Sequence, residues 1–224
     1  MTGLEPRPLH APRAASAGGP GLFVTFEGGD GAGKTTQASM LEEWLVAQGR
    51  DVVRTREPGG TEVGARIREI VLHHRGHIAA RAEALLYAAD RAHHVETVVQ
   101  PAIARGDVVI QDRYLDSSVA YQGAGRVLDA DDVRALSLWA TGGLLPDLTV
   151  LLDLDPAAAR QRLDADDKPF DRLEAEKSDF HARVRAGFLD LARREPGRFV
   201  VLDATQAPEI LAERVRDAVA ARLR

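Results

Sequence analysis

The chain contains no cysteine, which excludes a disulfide framework and any thiolate-held metal. That absence fits a reducing compartment, and a cytoplasmic location is expected. No apolar run reaches the roughly 18 residues that a membrane-crossing helix needs, so no membrane partner is expected. Positive charge is not in excess either. The 29 Lys and Arg against 34 Asp and Glu give a formal charge of −5, which makes a nucleic-acid polymer a poor electrostatic partner. Residues 1–21 lack both helical and strand periodicity. Pro6, Pro8 and Pro12, with Arg7 and Arg13, interrupt any continuous apolar segment, so this stretch reads as a flexible leader and not as a secretory signal. Residues 22–224 are enough for one good-sized core, with no repeat and no linker.

What is present centres on residues 22–36, LFVTFEGGDGAGKTT. A short buried strand (Leu22, Phe23, Val24, Phe26) stops at Gly28, passes through a glycine-rich loop and opens a helix at Lys34. Gly28, Gly33, Lys34 and Thr35 fit the P-loop pattern G-x-x-x-x-G-K-[ST]. Glycines without a Cβ let successive N–H groups curl around a phosphate, and the helix that follows presents its positive end to the same anion. Lys34 can reach the outer phosphates. Thr35 offers a hydroxyl suited to Mg²⁺, a hard cation that prefers oxygen. The pattern points to nucleoside triphosphate binding and is silent on the second substrate.

Strand and helix signals alternate from there on. Val52 and Val53 lead into TREPGGT, and a helix with Val63, Ile67, Ile70 and Val71 follows. Glu57, Pro58, Gly59 and Gly60 thus sit at the C-terminal end of a strand, where open parallel sheets bind ligands. His73, His74 and His77 lack the carboxylate of a metalloprotease-type site and read as exposed. Residues 79–105 carry helical periodicity with a kink at Pro101, and Tyr87 and Arg91 share one face. The strand VVIQD runs into DRYLDSSVAYQG. Its Asp112 stands where a Walker-B carboxylate orients a metal or its waters, and Arg113 is a natural phosphate clamp. Val133, Leu136 and Trp139 form a helical stripe that predicts a core position for Trp139. LTVLLDL is a central strand, and DADDKPFD a polar loop. A long helix over 173–194, a strand over 198–203 and a terminal helix complete the chain. Five strand–helix units predict an α/β fold: three layers around a five-stranded parallel sheet flanked by helices.

The segments GGDGAGKTT, TREPGGT, LLYAADR, DRYLDSSVAYQG and DRLE, in this order, resemble the bacterial thymidylate kinases, P-loop nucleoside monophosphate kinases, over residues 22–224. The resemblance implies the P-loop NTPase fold with a short lid at about 160–172, transfer of the γ-phosphoryl of ATP to dTMP with Mg²⁺, and a homodimer formed through helices. It implies that Gly28, Gly29, Asp30, Gly31, Ala32, Gly33, Lys34 and Thr35 surround the ATP phosphates, with Thr35 and Asp112 at the metal. Asp30 would point toward the acceptor's sugar or phosphate. Glu57, Pro58 and Arg68 would border the monophosphate, and Tyr87 takes the place of the family's thymine-stacking Phe. Arg91 would bond the base and Arg113 the acceptor phosphate. Ser117, Ser118, Tyr121 and Gln122 would line a pocket that recognises thymine and disfavours a ribose 2′-OH.

A dTMP phosphate oxygen is already anionic near neutral pH, so alignment and charge neutralisation should carry the catalysis, without a strong general base. Some relatives keep an arginine in the P-loop where this chain has Gly31. The resemblance then assigns the extra cation to the lid, whose candidates are Arg160, Arg162, Lys168 and Arg172, with Arg162 or Arg172 expected as the arginine finger. Asp164, Asp166 and Asp167 make this lid unusually acidic. Two rivals remain from the residues alone. A deoxynucleoside kinase would need a carboxylate base, for which Glu57 would have to serve. A nucleotide switch of the GTPase kind would be expected to carry an N-K-x-D stretch, and none occurs.

Overall fold

The computed structural model describes residues 20–165 and 170–223. Most of the expected leader, and Asp166, Asp167 and Lys168 of the expected lid, lie outside the described residues. Five strands, β1 (Leu22–Glu27), β2 (Val52–Arg56), β3 (Val108–Asp112), β4 (Leu148–Asp153) and β5 (Phe199–Asp203), form one wholly parallel sheet in the order β2-β3-β1-β4-β5. The chain moves outward from β1 to β2, returns to β3 and then crosses to β4. The direction of winding therefore reverses between β1 and β3, where parallel sheets open a crevice at their carboxyl ends.

Helices cover both faces. On one, α1 (Lys34–Ala47) and α9 (Pro208–Ala220) bury Leu41, Leu45, Leu211 and Val215 against Val24, Phe26, Ile110, Val150 and Leu152. On the other, α8 (Ser178–Arg194) places Phe180, Val184 and Phe188 against Leu151 and Phe199. The period of two along β1 sends Phe26 to the first core and Phe23 to the opposite face, where it packs in a third cluster with Val95, Val99, Val109, Tyr114 and Leu115. Thr25 and Thr149 hydrogen-bond each other at 3.0 Å inside.

The remaining helices are α2 (Glu62–His73), α3 (Ala80–His94), α4 (Gln100–Ala104), α5 (Leu115–Ser118), α6 (Ala130–Ala140) and α7 (Pro156–Ala165). Thr61 caps α2 by accepting the Gly64 N–H at 2.9 Å, a contact worth about 1 kcal/mol in typical helices. The helical signal over 79–105 corresponds to α3 and α4 joined by a π-helical stretch, Val95–Val99, ahead of Pro101. A widened turn is how a helix accommodates a residue with no N–H to donate. His73, His74 and His77 are exposed.

Two expectations need correction. Trp139 is 81% exposed and not core. The inward face of α6 is set by Val133 and Ser137, one turn apart, whereas a residue six positions on lies about a third of a turn away at 3.6 residues per turn. The long helix begins at Ser178 instead of 173. The Asp171 carboxylate accepts the N–H groups of Leu173 and Glu174 at 2.8 and 2.9 Å, which folds DRLE into its own turn.

Candidate active site

The loop after β1 turns through Gly28, Gly31 and Gly33, all at positive φ. At Gly28 an ideal Cβ would stand 2.4 Å from the Leu152 carbonyl oxygen, so glycine is needed for the strand-to-loop exit. At Gly31 it would stand 2.9 Å from the Ala159 carbonyl oxygen of α7. Lys34 folds back on this loop and donates to the carbonyls of Gly28 and Gly29 at 3.1 and 2.8 Å. Burial, then the neighbouring Arg113, lower its pKa, with Asp30, Asp112 and Glu27 opposing. Thr35 Oγ1 donates to Asp112 Oδ2 at 3.1 Å, which sets two hard oxygen donors side by side at the start of α1. That pair suits Mg²⁺, a cation that takes few protein oxygens and completes its shell with water and phosphate.

Arg113 joins this loop to the chain after β3. Its Nη1 donates to Gly28 O and Ser117 Oγ, both at 3.1 Å, and its Nη2 to Asp30 Oδ1 at 2.5 Å and Tyr121 OH at 3.2 Å. Tyr121 OH in turn donates to Asp30 Oδ2 at 3.1 Å. Burial alone would raise the Asp30 pKa, but Arg113 and then Lys34 outweigh it and hold the carboxyl at about 2. Asp30 is therefore an anion at neutral pH, and the three side chains form one closed charged cluster.

Beside this cluster a cleft of about 620 Å³ opens between the TREPGG loop, α3 and α5. It is lined by Asp30, Glu57, Pro58, Arg68, Tyr87, Arg91, Arg113, Ser117, Ser118, Tyr121 and Gln122, which are all the residues expected around dTMP. Many of them are already engaged. Arg91, 1% exposed, donates to Glu57 at 2.8 Å, Ser137 at 3.0 Å, and Tyr114 O and Ser118 at 3.1 Å. Arg68 holds Pro58 O at 2.9 Å, and Gln122 donates to Glu83 at 2.9 Å. The Tyr87 ring is buried, and burial pushes its hydroxyl up. The Glu57 carboxylate is spent on both sides, Oε2 on Arg91 and Oε1 on His94 Nδ1 at 2.9 Å. Both oxygens of Glu57 thus already accept hydrogen bonds, which weighs against the base role that the deoxynucleoside kinase alternative needs.

A second cleft of about 1050 Å³ runs along the P-loop and is lined by Lys34, Thr35, Arg56, Arg68, Asp112, Arg113 and Arg162, among others. Of the two expected arginine fingers, Arg162 on α7 reaches it, donating to Gly31 O at 3.3 Å and Ala204 O at 2.8 Å. Arg172 lies elsewhere. It bonds Val71 O at 2.8 Å and pairs with buried Glu83. Arg160 pairs with Asp164 and lies over the Phe170 ring.

Sequence reasoning missed several of the residues here. Arg56, exposed at the tip of β2, completes the ring of cations. Its position next to Glu57 in TREPGG was a usable signal. Asp90 accepts the Gly59 N–H at 3.2 Å, and His94 bonds Thr55 at 2.7 Å, so α3 braces the TREPGG loop. Burial, then the charge of Glu57, raise the Asp90 carboxyl to about 6. Glu174 borders both clefts.

The family profile described as Thymidylate kinase matches residues 26–215. The chain belongs to the thymidylate kinase family. It is 70% identical over 196 residues to the thymidylate kinase of Clavibacter sepedonicus, covering 88% of this chain and 93% of that protein. The similarity to the thymidylate kinase of Leifsonia xyli subsp. xyli is 70% over 197 residues, again 88% and 93%. The thymidylate kinase of Deinococcus radiodurans is 54% identical over 202 residues, 90% of this chain and 98% of the relative. The P-loop, the TREPGG loop and the DRY segment that build the two clefts all fall inside the region shared with the thymidylate kinase family.

Proposed function

We propose that this chain transfers the terminal phosphoryl group of ATP to dTMP, giving ADP and dTDP on the route to dTTP. The observation that carries the reading is the Asp30–Arg113–Tyr121 cluster, which stands where the P-loop cleft meets a second cleft. ATP phosphates occupy the P-loop, cradled by the N–H groups of residues 28–35 and by Lys34, which leaves its two carbonyl partners for the phosphate. Mg²⁺ held by Thr35 and Asp112 would offset charge on those phosphates.

The dTMP base lies against the Tyr87 ring, with Arg91 and Gln122 at its edge. Its phosphate meets Arg113, and its sugar lies over Asp30 and Tyr121. No proton has to be removed from the attacking oxygen, so the chain's task is to align two phosphates and neutralise them. Among the described lid cations, Arg162 borders the P-loop cleft and takes the finger role. Closing α7 over the donor also excludes water and limits futile hydrolysis.

The enzyme acts as a homodimer in the cytoplasm. Ile70, Leu85 and Trp139, exposed at 45%, 57% and 81% on α2, α3 and α6, of which α3 packs against both others, support the first statement. No described helix is long and apolar enough to cross a membrane.

A coupled ADP-release assay with Mg-ATP tests the activity against dTMP, dUMP, thymidine and no acceptor. Strong turnover with dTMP alone is expected. Turnover with thymidine, or ADP release without any acceptor, overturns the assignment.

A further inference from the structure

Glu27 is the last residue of β1, one position before the first glycine of the loop, and it is fully buried. A carboxylate in such a place persists only when donors surround it. Its donors come from the segment after β3. Oε1 accepts the N–H of Tyr114 at 2.8 Å and of Ser117 at 3.3 Å, and Oε2 accepts the Ser117 hydroxyl at 2.6 Å.

Between these contacts lies Arg113, at φ 66. A non-glycine residue seldom adopts this left-handed conformation and keeps it only where neighbours over-determine it. Here β1 clamps the peptide groups on both sides. The Arg113 N–H donates to Phe26 O at 3.0 Å, and the next N–H, that of Tyr114, donates to Glu27. The side chain is fixed through the same carboxylate. Ser117 has a single hydroxyl proton, which goes to Glu27, so its oxygen faces Arg113 as an acceptor at 3.1 Å.

We infer that Glu27 is a positioning residue for the acceptor phosphate, setting the direction in which the Arg113 guanidinium is presented. The inference rests on the reading that Arg113 holds that phosphate. Only a carboxylate can accept from three donors at this spot. Glutamine would turn an N–H₂ either toward Ser117, undoing the orientation of the hydroxyl, or toward the Tyr114 N–H, breaking the backbone clamp. The arrangement is kept against resistance. Burial, then the charge of Asp116, push the Glu27 carboxyl up to about 7, with Ser117, Arg113 and the Tyr114 N–H opposing. Asp116 is itself held by Arg198 at 2.7 and 2.9 Å.

The test is steady-state kinetics of Glu27→Gln, Arg113→Ala and the double variant, with ATP and dTMP varied separately. Glu27→Gln should raise KM for dTMP on the order of tenfold, as expected when a hydrogen bond to a charged group is disturbed. KM for ATP should stay within about twofold, since a loss confined to one substrate's contacts leaves independent sites alone. In the Arg113→Ala background the Glu27→Gln effect should shrink to within about twofold, because the two residues act in one chain. Equal rises in both KM values, an unchanged KM for dTMP, or full additivity with Arg113→Ala overturns the inference. Normal dTMP kinetics in Arg113→Ala alone overturns the acceptor-site reading first, and the inference with it. Should Glu27→Gln fail to fold, Ser117→Ala keeps the carboxylate and the backbone clamp while removing the hydroxyl link. It must then give the same selective rise in KM for dTMP, and equal kinetics to the parent would refute the proposal.

Discussion

Arg113 and Arg162 border the same phosphate cleft, and they are held in opposite ways. Arg113 is largely buried, paired with a carboxylate, and makes four side-chain hydrogen bonds within a charged cluster. Burial opposes its charge, yet Tyr121, Asp30 and Asp112 outweigh that and keep it well above the usual guanidinium range. Arg162 is exposed, and among the described residues its hydrogen bonds go to the backbone carbonyls of Gly31 and Ala204. A group fixed before substrate arrives costs no reorganisation at the moment of transfer. A group on a lid can move with the lid and can release product. Under the proposed assignment, a cation fixed in place faces the acceptor and an exposed one faces the donor.

The largest effect should come from breaking the fixed side. Arg113→Ala should lower kcat/KM for dTMP by about 10³, since it removes a charged fork and leaves Asp30 unpaired. Steady-state kinetics measures this, and turnover near the parent value would take Arg113 out of the site. Arg162→Ala should lower kcat by about 10² while leaving KM for dTMP nearly unchanged, because a mobile cation acts on the transfer and not on acceptor binding. A loss seen in KM alone would mean that this side is as rigid as the other.

Arg172→Ala sharpens the contrast between fingers. Activity should stay within about threefold, while stability drops by roughly 1–3 kcal/mol because buried Glu83 loses a charged partner. Comparing kcat with the thermal midpoint separates the two, and a selective fall in kcat would restore Arg172 as a finger. The smallest change is expected for Tyr87→Phe, within about twofold in kcat/KM for dTMP, since stacking uses the ring face and not the hydroxyl. A large loss would assign the hydroxyl a task of its own.

The parts legible in the sequence were those encoded locally. The strand, the glycine pattern and Lys34 lie within one short stretch, and TREPGG and DRY each sit at a strand end that hydrophobic continuity identifies. The sheet followed from the alternation of such units. Trp139 was misread because three apolar residues at spacings of three drift around a helix, and the second residue of the inner face, beside Val133, is the polar Ser137. The buried polar contacts were illegible for a different reason. Glu57 meets His94, Arg172 meets Glu83, and Glu27 meets Ser117 across separations of 37, 89 and 90 positions. No periodicity records such pairings, because they exist only once the sheet has brought distant loops together.

Gly31 carries a consequence of another kind. With an ideal Cβ there only 2.9 Å from the Ala159 carbonyl oxygen, any side chain at position 31 and the present seat of α7 compete for one volume. Arg162 reaches back from that same helix to the Gly31 carbonyl. The choice of where the extra cation resides, on the loop or on the lid, is thus a matter of exclusive tenancy. An enzyme built this way can change tenants, but it cannot house both without moving a wall.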